Sequence, residues 1–151
     1  MNPVAAVLLA EDDENDIFFM ELAFEKAEFP HPLMVVRNGQ EAIGYLSGQG
    51  IYADRARYPS PCLVLLDLTM PLLTGLDVLA WWQQQPQALK LAPIVVLTSS
   101  SNPADIQKAM ALGAADYRVK PINAANLGII LSELQARWLT PPLTGSPGPT
   151  A

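Results

Sequence analysis

Short apolar runs and amphipathic stretches alternate along this chain, and their order predicts its fold. Residues 4–10, 33–36, 62–66 and 93–97 are aliphatic runs without polar alternation, the pattern of strands covered on both faces. Residues 116–119 supply a fifth strand. Between them, Ile17, Met20, Glu21 and Phe24 recur at helical spacing over 14–27, and Pro30-His31-Pro32 then forbids further helix. Asn38-Gly39 turns into a second helix through Glu41, Ile43 and Leu46. A third helix is predicted over 75–85, with Leu76, Leu79 and Ala80 inward and Pro86 closing it. Asn102-Pro103 opens a fourth as a cap followed by proline at the first helical position, and Gly113-Ala114 ends it. The fifth helix spans 123–139.

Five β-α repeats joined by right-handed crossovers give an α/β fold: a flavodoxin-like, doubly wound, five-stranded parallel sheet of order 2-1-3-4-5 with five helices. Residues 1–139 form one domain, and the Pro/Gly-rich residues 140–151 are expected to be a disordered tail. Residues 47–61 form a long loop with a helical turn around 52–56. It reads as a surface insertion in preference to a partner contact through Tyr52, Arg55, Arg57 and Tyr58. Trp81 and Trp82 are adjacent, so one of them is expected at the surface.

Composition narrows the function. A net charge of −6 argues against a nucleic-acid surface, which needs clustered Lys and Arg. No apolar run approaches a membrane span, and the opening apolar stretch lacks the basic start of a secretion signal. Cys62 is the single cysteine, so no internal disulfide forms and a reducing, cytoplasmic setting is expected. His31, the one histidine, lies between two prolines with no ligand partner nearby.

The candidate chemistry sits where the apolar runs stop. Glu11-Asp12-Asp13 follows the first strand, Asp67 the third, Thr98-Ser99 the fourth and Lys120-Pro121 the fifth. One Asp after a strand equally well caps a turn, but four polar tips share one edge of the sheet, where ligands bind in such folds. Glu11, Asp12 and Asp67 crowded together call for a cation, and oxygen-only ligands select a hard one, Mg²⁺ first. With a Lys ammonium and a hydroxyl around one free carboxylate oxygen, the arrangement suits phosphoryl transfer to Asp67.

These residues stand in motifs that resemble the receiver domain of two-component response regulators: Leu8-Leu-Ala-Glu11-Asp12-Asp13, Leu66-Asp67-Leu-Thr-Met-Pro71 with Gly75, Leu97-Thr98-Ser99, Gly113-Ala114-Ala-Asp-Tyr117, and Lys120-Pro121. The likeness covers about 4–139. The loop before strand three and the acidic residues 13–16 are most similar to single-domain regulators paired with phytochrome-type histidine kinases. The resemblance implies Asp67 as phosphoacceptor, and Asp12, Glu11 (through water), Asp67 and the Thr69 carbonyl as metal ligands. It also implies Thr98 and Tyr117 as switch residues and Lys120 as the phosphate-pairing lysine. Thr69 and Ser100 occupy positions that influence phosphate lifetime.

By the same resemblance, the partner is a sensor histidine kinase or a histidine phosphotransfer protein, docking over Phe19 and Ile122. A homodimer through helix 4, strand 5 and helix 5 is expected, with Met110, Ile129 and Trp138 exposed for it, and no turnover of a free substrate. Two other classes remain. A phosphatase of the haloacid dehalogenase type needs a second Asp two positions on, where this chain has Thr69. A pseudo-receiver that never takes phosphate would be expected to lose Asp67, Lys120 or an acidic ligand, and all are present.

Overall fold

The computed structural model of the chain describes residues 5–87, 90, 92–121 and 124–139. Strands β1 (Ala6–Ala10), β2 (Leu33–Val36), β3 (Pro61–Leu66), β4 (Ile94–Thr98) and β5 (Asp116–Val119) pair in parallel in the order β2-β1-β3-β4-β5. Helices α1 (Glu14–Lys26), α2 (Gly39–Ser47), α3 (Gly75–Gln83), α4 (Pro103–Ala111) and α5 (Ala124–Leu134) alternate with them. This is the expected doubly wound sheet.

Strand side chains alternate between faces, and the core divides accordingly. Leu8, Val64, Leu66 and Val96 pack with residues of α2, α3 and α4, while Val7, Leu9, Leu65 and Val95 pack with residues of α1 and α5. Burial on both faces explains why these strands read as continuous apolar runs. The helix starts follow their sequence signals. Asp13 caps α1, Asn38 caps α2, and Asn102 caps α4 ahead of Pro103. Thr74 and Asp77 form a capping box on α3.

Several expectations need correction. The buried stripe of α3 is Gly75, Val78, Leu79 and Trp82, the i, i+3, i+4, i+7 set, so Leu76 is only half-buried and Ala80 lies at its edge. Trp82 is therefore the core tryptophan and Trp81 the partly exposed one. In α1, Ala23 rather than Glu21 completes the buried face. Trp138 is not left over for a partner. After Leu134 the helix widens into π geometry over Gln135–Leu139, and Trp138 packs against the core under the Arg137 guanidinium.

The loop after α2 starts with a 3-10 turn over Gly50–Ala53 and is packed down rather than loose. Tyr52 and Tyr58 pack against Tyr45, whose hydroxyl donates to the Pro59 carbonyl at 2.8 Å. Arg55 donates to the Tyr45 carbonyl at 2.8 Å and lies over the Tyr45 ring. Of the four residues that a partner contact would use, only Arg57 is exposed. Residues 140–151 and Ile122 lie outside the described residues. Among those described, no helix is long and apolar enough to cross a membrane.

Candidate functional site

The site is built at the carboxyl ends of β1, β3, β4 and β5. Beyond Ala10 the chain keeps pairing, with the Glu11 amide donating to the Val36 carbonyl at 2.9 Å, and this draws Glu11 into the interior at 2% exposure. The three consecutive acids then divide their roles. Glu11 is buried, Asp12 is exposed, and Asp13 turns away to accept the Asn15 and Asp16 amides as the cap of α1. Asp67 follows β3, its amide donating to the Ala10 carbonyl at 3.1 Å, and its side chain is also buried. One carboxylate oxygen from each of Glu11, Asp12 and Asp67 lies within 4.8 Å of the others.

Lys120 enters from the end of β5, fixed by its own amide, which donates to the Thr98 carbonyl at 2.7 Å. Its ammonium lies 2.5 Å from Glu11 Oε1, 2.7 Å from Asp16 Oδ2 and 3.2 Å from Asp67 Oδ2. One cation thus serves three anions. Burial disfavours the Lys120 charge, but the bonds to Asp16 and Glu11 and the charge of Asp67 outweigh it and hold the lysine above its usual range. Glu11 bears the cost. Burial, with the Asp67 charge adding to it, pushes its carboxyl up to about 7 despite the opposing Lys120 bond.

That donor set fits a hard divalent cation. It is all oxygen, it carries excess negative charge, and the charge is least tolerable at buried Glu11. Thr69 sits at the lip of the same open cleft, with its amide donating to Asp67 Oδ1 at 3.3 Å. The structure therefore brings together Glu11, Asp12, Asp67, Thr69 and Lys120.

The switch residues are placed differently from one another. Thr98 is fully buried at the end of β4, and its hydroxyl has no hydrogen-bond partner among the described residues. Ser99, the next residue, lines the cleft instead. Tyr117 lies on β5, half-buried, and its hydroxyl donates to the Ser100 carbonyl at 2.8 Å. Ser100 in turn donates its side chain to Asp105 Oδ2 at 2.8 Å, which ties the β4–α4 connection to the first turn of α4. Phe19 is 44% exposed and lines, with Leu9, Lys120 and Pro121, an apolar hollow beside the cleft.

Sequence reasoning missed Asp16. It stands 104 positions from Lys120, and an acid in the first turn of a helix is ordinarily explained by the helix dipole. Its only signal was excess: the chain already had a cap at Asp13 and another first-turn acid at Glu14.

Comparison with known proteins points to one family. The family model for the response regulator receiver domain matches residues 7–132. Response regulator Rcp1 of Synechocystis sp. is 34% identical over 138 residues, covering 91% of each chain. The crystal structure of the phosphorylated cyanobacterial phytochrome response regulator RcpA superposes with a TM-score of 0.81 at 35% identity, covering 93% of this chain and 97% of that one. The Mn²⁺-bound form of Rcp1 superposes with a TM-score of 0.78 at 32% identity, covering 94% of this chain and 99% of that one.

Proposed function

Because this chain belongs to the response regulator receiver family, we propose that it takes a phosphoryl group from a histidine kinase onto Asp67 and signals through protein contact or phosphorelay. The observation that carries this reading is Asp67, buried at a strand tip between two further carboxylates and the Lys120 ammonium. A carboxylate oxygen of Asp67 attacks phosphorus, the bond from phosphorus to the donor breaks, and the donor leaves with the electron pair. Lys120 offsets negative charge on the transferring oxygens. A magnesium ion, held by Glu11, Asp12, Asp67 and the Thr69 carbonyl, supplies further charge neutralisation when bound. Each chain takes one phosphoryl group and turns over no free substrate. The likeness to RcpA, a phytochrome response regulator, supports a phytochrome-type kinase as donor; a histidine phosphotransfer protein is the alternative donor, and the cytoplasm is the expected compartment.

Incubation with acetyl phosphate and Mg²⁺, followed by intact mass measurement, tests the assignment. The expected result is a gain of one phosphate that disappears in Asp67→Asn and on chelation. A gain that survives Asp67→Asn would move the acceptor elsewhere.

Kinase docking is assigned to Phe19, with Ile122 as its companion. Phe19 is exposed on α1 beside Lys120 and Pro121, more apolar surface than a helix needs for its core. Phe19→Ala is expected to slow transfer from the kinase while leaving the rate from acetyl phosphate unchanged. Equal slowing with both donors would indicate a packing defect.

Output is assigned to a homodimer through α4, β5 and α5. Met110, Val119 and Ile129 are exposed there. Phosphorylation is expected to stabilise this dimer through Thr98 and Tyr117, so Thr98→Ala should still accept phosphate but lose the coupling. Sedimentation with and without beryllofluoride measures this, and a monomer in both states would refute the dimer.

A further inference from the structure

The sequence motifs give Asp16 no role at the site, yet its carboxylate stands closer to the Lys120 ammonium, at 2.7 Å, than Asp67 does at 3.2 Å. An ammonium has three protons to donate, and here three carboxylates surround it. The proposed reaction changes two of those partners. Glu11 would share its charge with a bound cation, and Asp67 loses its charge on becoming an acyl phosphate. Asp16 is the partner that the chemistry leaves untouched, and it continues to hold Lys120 when a phosphoryl oxygen needs it. It also adds a negative charge to a cleft already lined by Glu11, Asp12 and Asp67, which an anionic donor must enter.

We infer that Asp16 is a positioning residue that restrains phosphorylation, holding Lys120 back from the phosphoryl group and repelling anionic donors. The inference rests on Asp67 being the phosphoacceptor. Asp16 suits such a role because its side chain is 39% exposed, so replacing it leaves no hole in the core. A purely structural contact would give the opposite sign, since its loss can only slow the reaction or leave it unchanged.

The test compares the full chain with Asp16→Asn and Asp16→Glu at saturating Mg²⁺, following phosphate gain by intact mass. Two donors are used: acetyl phosphate, a dianion at neutral pH, and phosphoramidate, which carries less negative charge. Asp16→Asn is expected to react about threefold to fivefold faster with acetyl phosphate, the scale set by a part-exposed charge pair, and to gain less with phosphoramidate. Asp16→Glu should return to the wild-type rate. An Asn variant that is no faster than wild type with acetyl phosphate overturns the inference while leaving Asp67 in place. A wild-type chain that takes no phosphate overturns the underlying assignment and the inference with it.

Discussion

Lys120→Met is expected to give a protein that is markedly less stable without metal and nearly inert toward phosphodonors. Removing the ammonium leaves Glu11 and Asp67, whose side chains are only 3% and 7% exposed, with no cation between them. Breaking a buried pair by deleting one partner costs roughly 3–5 kcal/mol, and the more exposed Asp16 adds little. The loss should depend on pH. With its carboxyl at about 7, Glu11 binds more protons in the folded chain than in the unfolded one between its ordinary value of 4.5 and that point. Stability of the metal-free wild type therefore falls as pH rises through this window. Lys120 is held above its usual range, so its own contribution is complete throughout it. Without the lysine, Glu11 should hold its proton to higher pH still, which makes the variant weakest above pH 7, and Mg²⁺ should restore much of the difference. Urea melts at pH 6 and 8, with and without Mg²⁺, read this directly, and equal stability to wild type in all four would refute it. The phosphorylation rate should drop on the order of 100- to 1000-fold, as when a donor to a developing charge is removed.

Gly75→Ala is expected to damage the site from outside it. A Cβ at this position would lie 2.3 Å from the Asp67 carbonyl oxygen and 2.7 Å from Leu68 Cα. Both are backbone atoms, so no side chain can swing aside, and the start of α3 must move off the end of β3. Overpacking of this kind costs about 1–3 kcal/mol. The atom displaced belongs to Asp67 itself, so the phosphoacceptor shifts too, and a misplacement of roughly 1 Å is enough to cost about 100-fold in rate. Gly128 in α5 is the control. Among the described residues a Cβ there meets nothing within 4 Å, so Gly128→Ala should keep the wild-type rate and gain roughly 0.5 kcal/mol or more in stability. If the two variants behave alike, the contact at Gly75 does not matter.

The fold was legible because its signals are local. Each buried strand is an aliphatic run that stops abruptly at a polar residue, and Asn38 and Asn102 announce the helices that they cap. Glu11, Asp12, Asp67 and Lys120 could be placed together because parallel strands of known order put their ends on one edge. What stayed hidden depends on rotation or on distant contact. The face of α3 was ambiguous because Leu76, Val78, Leu79, Ala80, Trp81 and Trp82 are all apolar and more than one stripe fits the period; the observed one brings Gly75 against the Asp67 and Leu68 backbone. Trp138 was misplaced because a 3.6-residue period was extended through a π-helical segment, where it no longer holds. Asp16 was missed because nothing in α1 indicates that a lysine from the far end of the chain will reach its first turn.

The hydrogen bond from Tyr117 to the Ser100 carbonyl bears on how much a phosphoryl group can change. A modification moves a two-state equilibrium only by the difference in its free energy between the states. That bond ends on a backbone carbonyl and not on the phosphoryl group, so Tyr117 enters the difference only through its own change of bonding when it turns. The buried Thr98 hydroxyl, without a hydrogen-bond partner among the described residues, is a group that can make a new bond in one state alone. A charge-assisted bond of roughly 1.5–3 kcal/mol shifts the ratio of states by about 10- to 100-fold. A chain that is mostly active when phosphorylated must then already visit the active arrangement, on the order of one per cent of the time or more, when it is not.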